Sequence, residues 1–291
     1  MASQPSQPTR GPILTMGKVL SEQQIKAYVE QGFVSPIDVL SEDEAAQYLH
    51  RLEEAEAQYP EWVNPHKRNN VHLSFKCLDE LAHHPRALDA VEDLLGSHFS
   101  LWGTVLFCKD PESPHYVSWH QDATYMGMSG HTLVTPWLAL TGSNIKTGCM
   151  QVIPGSHRGE ILKHEDTYGE YNILTRGQQV IEVDETEAVD MILKPGQMSL
   201  HHAKVIHGSR PNQSSERRVG FAMQSFMPPE VEQVIGKNLW LDARGHNPRK
   251  NNTVLRRPAY DLDPVAMSDR ALADTNMDDI LYRGAAQKRN F

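Results

Sequence analysis

The chain has 291 residues and a formal net charge of -9. This acidic balance argues against a general nucleic-acid-binding protein, because such proteins need a basic surface. Hydrophobic residues make up 39% of the chain, enough for a sizeable core. No apolar run approaches the roughly 18 residues of a membrane span, so we expect no membrane segment.

The N-terminal residues and the cysteines bear on the domain organisation and the cellular compartment of the protein. Residues 1–18 are polar and contain several prolines, so we predict a flexible tail there and a single domain over 19–291. Cys77, Cys108 and Cys149 are widely spaced and odd in number, which is typical of reduced thiols rather than disulfides. We therefore expect a cytoplasmic protein, and a homodimer is the base-rate expectation for its assembly.

Helix signals are concentrated in residues 19–96. The first predicted helix spans 21–31 and stops at a glycine. Ser41 and Glu44 have the spacing of a capping box, which opens a second helix that continues to residue 59. A third helix is predicted over 87–95, again stopped by a glycine.

The pattern changes after residue 97 to short apolar or alternating runs separated by Gly, Pro, Asn and Asp. This texture predicts a β sandwich or barrel over 97–227, followed by a mixed helix and loop extension over 228–291. The fold class is therefore mainly β with flanking helices. The predicted strands are 99–108, 134–141, 150–153, 180–183, 188–193, 198–202 and 219–226.

A candidate metal site begins with His120 and Asp122. Positions i and i+2 of a strand point to the same face, so both side chains could reach one ion while Gln121 points elsewhere. A His-x-Asp pair occurs often by chance, and alone it is as consistent with an exposed polar strand. The interpretation therefore depends on a third ligand.

Four histidines could supply that ligand: His157, His201, His202 and His207. We prefer His207, because the Gly-Ser-Arg-Pro-Asn stretch that follows it can turn the chain and approach a ligand closely. His201 and His202 are adjacent and should point to opposite faces, so one is expected in the core or behind a ligand. His157 lies in a predicted turn. Two imidazoles and one carboxylate can hold one face of Fe(II) and leave positions free for substrate and oxygen.

Arg218 lies 11 residues after His207 and opens an apolar strand. If it is buried, its charge needs a partner, which could be an internal acid or the carboxylate of a ligand. Ser209 could donate its hydroxyl to the same carboxylate. Arg217 should face the surface. Trp137 could form a wall of the pocket or belong to the core.

Three motifs together resemble the phytanoyl-CoA dioxygenase family of Fe(II)/2-oxoglutarate oxygenases. They are 119–122 (WHQD), 148–157 (GCMQVIPGSH) and the stretch from 207 to 218, within a resemblance that covers roughly residues 20–230. The resemblance implies a double-stranded β-helix core, the jelly roll of cupin-like proteins.

The resemblance also implies roles for individual residues. His120, Asp122 and His207 would be the catalytic iron ligands. Arg218 and Ser209 would bind 2-oxoglutarate, and Trp137 matches a tryptophan that family members place near this co-substrate. The implied cofactor is Fe(II), with 2-oxoglutarate and O2 as co-substrates.

The expected activity is hydroxylation of a small-molecule metabolite, with decarboxylation of 2-oxoglutarate to succinate and CO2. Related halogenases replace the metal carboxylate by a small residue, so Asp122 favours hydroxylation over halogenation. By their position near the motifs, Gln121, Thr124, Tyr125 and Arg210 are candidate substrate contacts.

Two other functions are consistent with the same fold. One is a cupin-like metalloenzyme that does not use 2-oxoglutarate, and the spacing of Arg218 from His207 argues against it. The other is a non-catalytic binding module, which the loss of one of the three metal ligands would have indicated. All three ligand positions are filled, so we favour the oxygenase.

Overall fold

The computed structural model describes residues 17–63, 68–246 and 253–289, so most of the predicted tail lies outside the described residues. The helices are α1 (Glu22–Gln31), α2 (Glu42–Gln58), α3 (Pro60–Val63), α4 (Lys76–Ala82), α5 (Pro85–Leu95) and α6 (Pro264–Leu281). The strands are β1 (Phe33–Asp38), β2 (Phe99–Lys109), β3 (Val117–His120), β4 (Val134–Ala139), β5 (Met150–Val152), β6 (His164–Asp166), β7 (Gln178–Val180), β8 (Val189–Asp190), β9 (Gln197–His202), β10 (His207–Ser209), β11 (Arg218–Met227), β12 (Leu239–Arg244) and β13 (Thr253–Val254).

The helix boundaries follow local sequence signals. The capping box that opens α2 is confirmed, because Ser41 Oγ accepts from Glu44 N and the Glu44 carboxylate accepts from Ser41 N. Helix α1 ends where Gly32 adopts a left-handed conformation with φ 84°, which costs glycine little. Local chemistry therefore decided these ends.

Two facing sheets form the body of the protein. The larger has seven strands in the order β1-β9-β4-β11-β2-β12-β13, and the smaller has four in the order β3-β10-β5-β8. The predicted mainly β architecture with flanking helices is thus confirmed. However, β1 and β12 also belong to the large sheet, although they lie outside the range 97–227 predicted for the core. They join it through pairings with β9 and β2 that are distant in sequence.

The two faces of the large sheet have different neighbours. In β11, Val219, Phe221 and Met223 are fully buried against the layer of N-terminal helices. The alternate residues point to the other face, where Trp137 and Ala222 pack against Met150 and Val152 of the small sheet. The period of two along β11 therefore assigns Arg218 to the interior between the sheets.

Beyond β12 the chain returns to the helical layer. Arg257 binds the fully buried Asp79 of α4 through two hydrogen bonds, from Nε at 2.8 Å and from NH2 at 2.9 Å. Lys76 and His83 also contact this carboxylate, at 2.8 Å and 3.1 Å. Asp79 thus ties the C-terminal segment to α4. Within the described ranges, none of the helices has the length and apolarity needed to cross a membrane.

Asp79 should make the fold sensitive to acid. Burial alone would raise its pKa, but hydrogen bonds from His83, Arg257 and Lys76 outweigh burial and hold the pKa well below the usual range. A depressed folded pKa stabilises the native state above the unfolded pKa, and this contribution is lost as the pH falls through the folded value. We expect Asp79→Asn to lower the free energy of unfolding by about 3 kcal/mol at neutral pH.

Urea denaturation across a pH series measures this effect. The difference between the wild type and Asp79→Asn should shrink as the pH falls below about 4, because protonation then weakens the same contacts in the wild type. Glu80→Gln is the matched control, since its partner Arg51 is exposed and such pairs contribute roughly 0–1 kcal/mol. An equal difference at pH 3 and pH 7 would contradict this account.

Candidate active site

The site is built on the antiparallel pair of β3 and β10, which places His207 directly opposite His120. The two rings lie 4.1 Å apart between centroids. His120 Nδ1 donates to the Ser118 carbonyl at 2.9 Å, and His207 Nδ1 donates to the Val205 carbonyl at 3.0 Å. Since a carbonyl only accepts, each Nδ1 carries the hydrogen, and each Nε2 keeps a lone pair for a metal.

Asp122 completes a cluster with the two histidines. It begins a short 3-10 turn (Asp122–Thr124) rather than continuing the strand, because β3 ends at His120 and Ala123 N binds the Ala203 carbonyl at 2.9 Å. The strand geometry predicted for this pair is therefore wrong, but the two side chains do converge. Asp122 Oδ1 lies 3.4 Å from His120 Nε2 and 3.9 Å from His207 Nε2.

The electrostatics of this cluster suit a cation. One ligand atom from each of the three buried residues lies within 4.8 Å of the others, close enough to hold one ion. Burial would raise the pKa of Asp122, but His207, His120 and His201 hold it well below its usual range. Burial and the neighbouring His120 lower the pKa of His207. A carboxylate and neutral imidazoles are the protonation states that bind a metal.

The adjacent histidines of β9 do point to opposite faces, as expected. His202 is half-buried, and its Nδ1 accepts from Lys204 N at 3.0 Å. His201 is 2% exposed, lines the central cavity and has no hydrogen-bond partner at either ring nitrogen. Its Nε2 lies 3.6 Å from Asp122 Oδ2, on the oxygen away from the other histidines. The sequence predicted one inward histidine but not which of the two.

Arg218 reaches the same cavity from the large sheet. It is 2% exposed, its NH1 donates to the Gly148 carbonyl at 2.5 Å, and its Nε has no partner. The guanidinium lies 5.4 Å from the ring centroid of Trp137, which also lines the cavity. No acid among the described residues forms an ion pair with Arg218, so the internal salt bridge considered above is absent there.

The neighbouring Arg217 faces the surface side, as expected. Its side chain is 25% exposed and binds both oxygens of Glu56, at 2.8 Å and 2.7 Å. Adjacent arginines on one strand thus have opposite environments. Of these two arginines, Arg218 is the one with an unused hydrogen-bond donor inside the protein, at its Nε.

One residue of this region was not predicted from the sequence. Lys109 is fully buried and lies directly opposite Arg218 in the pairing of β2 and β11. Its Nζ lies 2.7 Å from Ser209 Oγ, within hydrogen-bonding distance. A lysine just after an apolar run looks like an exposed strand end, and only the register with β11 places it inside.

The metal cluster and Arg218 open into one cavity of about 590 Å³. Its walls come from both sheets, from Arg68 and Asn69, and from the C-terminal helix through Met277 and Leu281. Tyr125 also lines it, with a hydroxyl that has no hydrogen-bond partner. The volume and the mixture of apolar walls with a few polar groups are typical of a small-molecule site.

The other candidate substrate contacts lie outside this wall. Gln121 is fully buried and binds the Lys204 carbonyl and Leu162 N. Thr124 Oγ1 lies 3.3 Å from His164 Nδ1. The side chain of Arg210 is 64% exposed and turns towards Glu185. Proximity to a motif in sequence was misleading here, because the turns that follow β3 and β10 direct these side chains away from the cavity.

The sequence model of the phytanoyl-CoA dioxygenase family matches residues 28–220 of this chain. The chain belongs to the phytanoyl-CoA dioxygenase family. Its members are Fe(II)- and 2-oxoglutarate-dependent oxygenases, and the buried His-Asp-His cluster fits iron. The expected jelly-roll fold of cupin-like oxygenases is thereby confirmed.

Individual relatives agree with this assignment. A probable alpha-ketoglutarate-dependent hypophosphite dioxygenase from Stutzerimonas stutzeri is 27% identical over 72% of this chain and 81% of its own. The peroxisomal phytanoyl-CoA dioxygenase of Bos taurus is 27% identical over 67% of this chain and 65% of its own. The structure of a non-heme monooxygenase, ThoJ in its apo form, has a TM-score of 0.79 and 32% identity, covering 89% of this chain and 98% of that one.

The ring of Trp137 packs directly against the backbone of Gly220, where a side chain would otherwise lie. A Cβ added at Gly220 would lie 1.8 Å from Trp137 Cζ2, so the ring would have to move. We expect Gly220→Ala to lower the free energy of unfolding by about 1–3 kcal/mol, measured by urea denaturation. Gly142→Ala is the control, because a Cβ there has no atom within 4 Å. Equal stability of the two variants would show that Trp137 is free to shift.

Proposed function

We propose that this protein is an Fe(II)- and 2-oxoglutarate-dependent dioxygenase that hydroxylates a small-molecule metabolite. The observation that carries the proposal is the convergence of a buried His-Asp-His cluster and an unpaired buried arginine on one cavity. Each feature needs a ligand, a cation in one case and an anion in the other. Fe(II) and 2-oxoglutarate together satisfy both needs.

In this proposal His120, Asp122 and His207 hold the iron. Their donor atoms are two imidazole nitrogens and one carboxylate oxygen, which is the ligand set of the non-heme iron oxygenases. The Nδ1 hydrogen bonds to backbone carbonyls fix both rings in the metal-binding orientation. The related ThoJ has also been solved as a nickel complex, at 30% identity and a TM-score of 0.75.

Arg218 would bind the distal carboxylate of 2-oxoglutarate. Its planar guanidinium can form two parallel hydrogen bonds to a carboxylate, and its unpartnered Nε is already inside the protein. Ser209 adds a hydroxyl donor on the facing strand β10. The ring of Trp137 would support the guanidinium from one side through a cation–π contact.

The bound iron, with O2 and 2-oxoglutarate, supplies the oxidising chemistry and yields succinate and CO2 alongside the oxidised substrate. The protein holds the substrate next to the cluster and excludes water. Residues 68–69 and helix α6 also line the cavity. They are therefore the segments placed to contact the substrate, together with Tyr125.

Asp122 supports hydroxylation over halogenation. A halogenating site needs a free coordination position where the carboxylate stands, and Asp122 occupies it. The substrate is a separate question, because relatives of equal identity are named for hypophosphite and for phytanoyl-CoA. We propose a small metabolite with polar and apolar parts, since the wall of the cavity has both.

The direct test is an anaerobic titration of the protein with Fe(II) and 2-oxoglutarate, followed by the visible charge-transfer band of a chelated keto acid. A band that depends on both ligands is the expected result. Aerobic screening for succinate and for a product one oxygen atom heavier then identifies the substrate. Confirmed iron binding without the band would favour a cupin-like enzyme that does not use 2-oxoglutarate, and no metal binding would favour a non-catalytic module.

Asp122→Ala should abolish hydroxylation. Removing an outer partner of a metal ligand already costs about 10- to 100-fold in metal affinity or activity, so removing the ligand itself should cost more. Product formation is measured at saturating Fe(II), with Asp190→Ala as a control on a half-buried carboxylate outside the cluster. Near-wild-type turnover by Asp122→Ala would show that the ligand set is misassigned.

Arg218→Lys should weaken 2-oxoglutarate binding by roughly 10- to 100-fold, because lysine cannot form the paired hydrogen bonds of a guanidinium. Titration of the charge-transfer band gives the dissociation constant. Arg217→Lys is a matched control one residue away, on the surface side of the strand. If both variants bind 2-oxoglutarate equally well, Arg218 is not the carboxylate ligand.

A further inference from the structure

Lys109 and Arg218 form a pair of buried basic side chains without an acid. They lie opposite each other on β2 and β11, are 0% and 2% exposed, and both donate to the carbonyl of Gly148. In the described part of the chain neither makes an ion pair with a carboxylate. Buried charge without a partner is costly, so the cavity that Arg218 lines favours an anionic ligand.

Oxygen atoms surround the amine of Lys109 on three sides. Nζ is 2.7 Å from Ser209 Oγ and 3.4 Å from the Gly148 carbonyl, and it also binds the Arg210 carbonyl. An ammonium has three hydrogens and no lone pair, whereas a neutral amine has two hydrogens and one lone pair. The two carbonyls only accept, so they take two hydrogens in either state. The direction of the hydrogen bond between Nζ and Ser209 Oγ therefore depends on whether Nζ carries a third hydrogen.

This arrangement makes Ser209 a two-state group. Beside the neutral amine, the Ser209 hydroxyl donates to Nζ. Beside the ammonium, Ser209 Oγ accepts, and its own hydrogen is released towards the cavity that it lines together with Arg218. Only the second state offers a donor to a carboxylate bound at Arg218.

We propose that Lys109 is a positioning residue of the 2-oxoglutarate site, which takes up a proton when the distal carboxylate binds and thereby turns the Ser209 hydroxyl towards it. This inference rests on the proposed function, because it needs 2-oxoglutarate at Arg218. It assigns a role to a residue that lies behind the cavity wall.

The charges around Lys109 agree with uptake of a proton. Burial and the neighbouring Arg218 lower its pKa to about 6, while the Cys149 thiol opposes them weakly. At pH 7 about a tenth of the amine is then protonated. Ser209 on β10 is neutral, and the side chain of Arg210, just after β10, turns outwards. The carboxylate of Asp110, which follows Lys109 in the chain, is 71% exposed. A bound carboxylate would thus be the nearby buried anion, and it would raise the pKa of Lys109.

The experiment compares two ligands on the iron-loaded protein without oxygen. One is 2-oxoglutarate, and the other is 2-oxopentanoate, which has the same chain length but no distal carboxylate. We expect Lys109→Met to weaken 2-oxoglutarate about tenfold, as for loss of a hydrogen bond to a charged group, and to leave 2-oxopentanoate unchanged. Lys146→Met, an exposed lysine near Gly148 in the same loop, should change neither.

Two further readouts separate positioning from a merely structural role. Calorimetry in buffers of different ionisation enthalpy at pH 7 should show uptake of close to one proton with 2-oxoglutarate in the wild type and none in Lys109→Met. Ser209→Ala should also weaken 2-oxoglutarate, and the double variant should be no weaker than the worse single variant, because the two residues act as one unit.

The outcomes are distinguishable. Equal weakening of both ligands by Lys109→Met, or unchanged proton uptake, would overturn the role of Lys109 while leaving the oxygenase intact. Additive effects of Lys109→Met and Ser209→Ala would show that the lysine does not act through Ser209. A wild-type protein that binds iron but neither keto acid would overturn the proposed function itself, and the role of Lys109 with it.

Discussion

The pairing of His120 with His207 across β3 and β10 is the constraint on which the rest of the site depends. Because their strands are antiparallel neighbours, the two rings meet without any flexible connection. Both rings use Nδ1 to bind a carbonyl two residues earlier in the chain, so local backbone fixes which nitrogen faces the cavity. Asp122 can lie in a turn and still complete the cluster, because His120 and His207 already define where a cation would lie.

The second constraint is the large sheet, which brings two basic side chains to the same interior. Arg218 and Lys109 face inwards because the residues next to them in β11 and β2 pack against the helical layer. The site thus has an anionic end at Asp122 and a cationic end at Arg218, one on each side of the interior between the sheets. A ligand that chelates a metal at one end and carries a carboxylate at the other matches this polarity.

Much of this was predictable from the sequence, and the reasons are local. Strands β2, β4, β9 and β11 followed the predicted apolar or alternating runs, the helix ends at Ser41 and Gly32 followed capping residues, and the ligand motifs were read from residue type and spacing. The predicted strands 180–183 and 188–193 were largely wrong, because only Val180 of the first and residues 189–190 of the second lie in strands. What was not predictable depended on register. Lys109 and His201 become part of the site only through their strand partners, and the order of residues along the chain does not reveal those partners. The same limit explains Gln121, Thr124 and Arg210, which are near the ligands in sequence but turn away in space.

The division of the cavity explains why the reaction is easier to infer than the substrate. His120, His207 and Arg218 lie on strands whose side chains are fixed by paired neighbours. The cavity is also lined by Arg68, Asn69 and residues of α6, which lie far from the motifs in sequence. Helix α6 is held in place by the helical layer, for example where Arg270 donates to Ser74 Oγ at 2.6 Å. Changes in α6 would therefore alter this wall of the cavity without altering the strands that carry His120, His207 and Arg218.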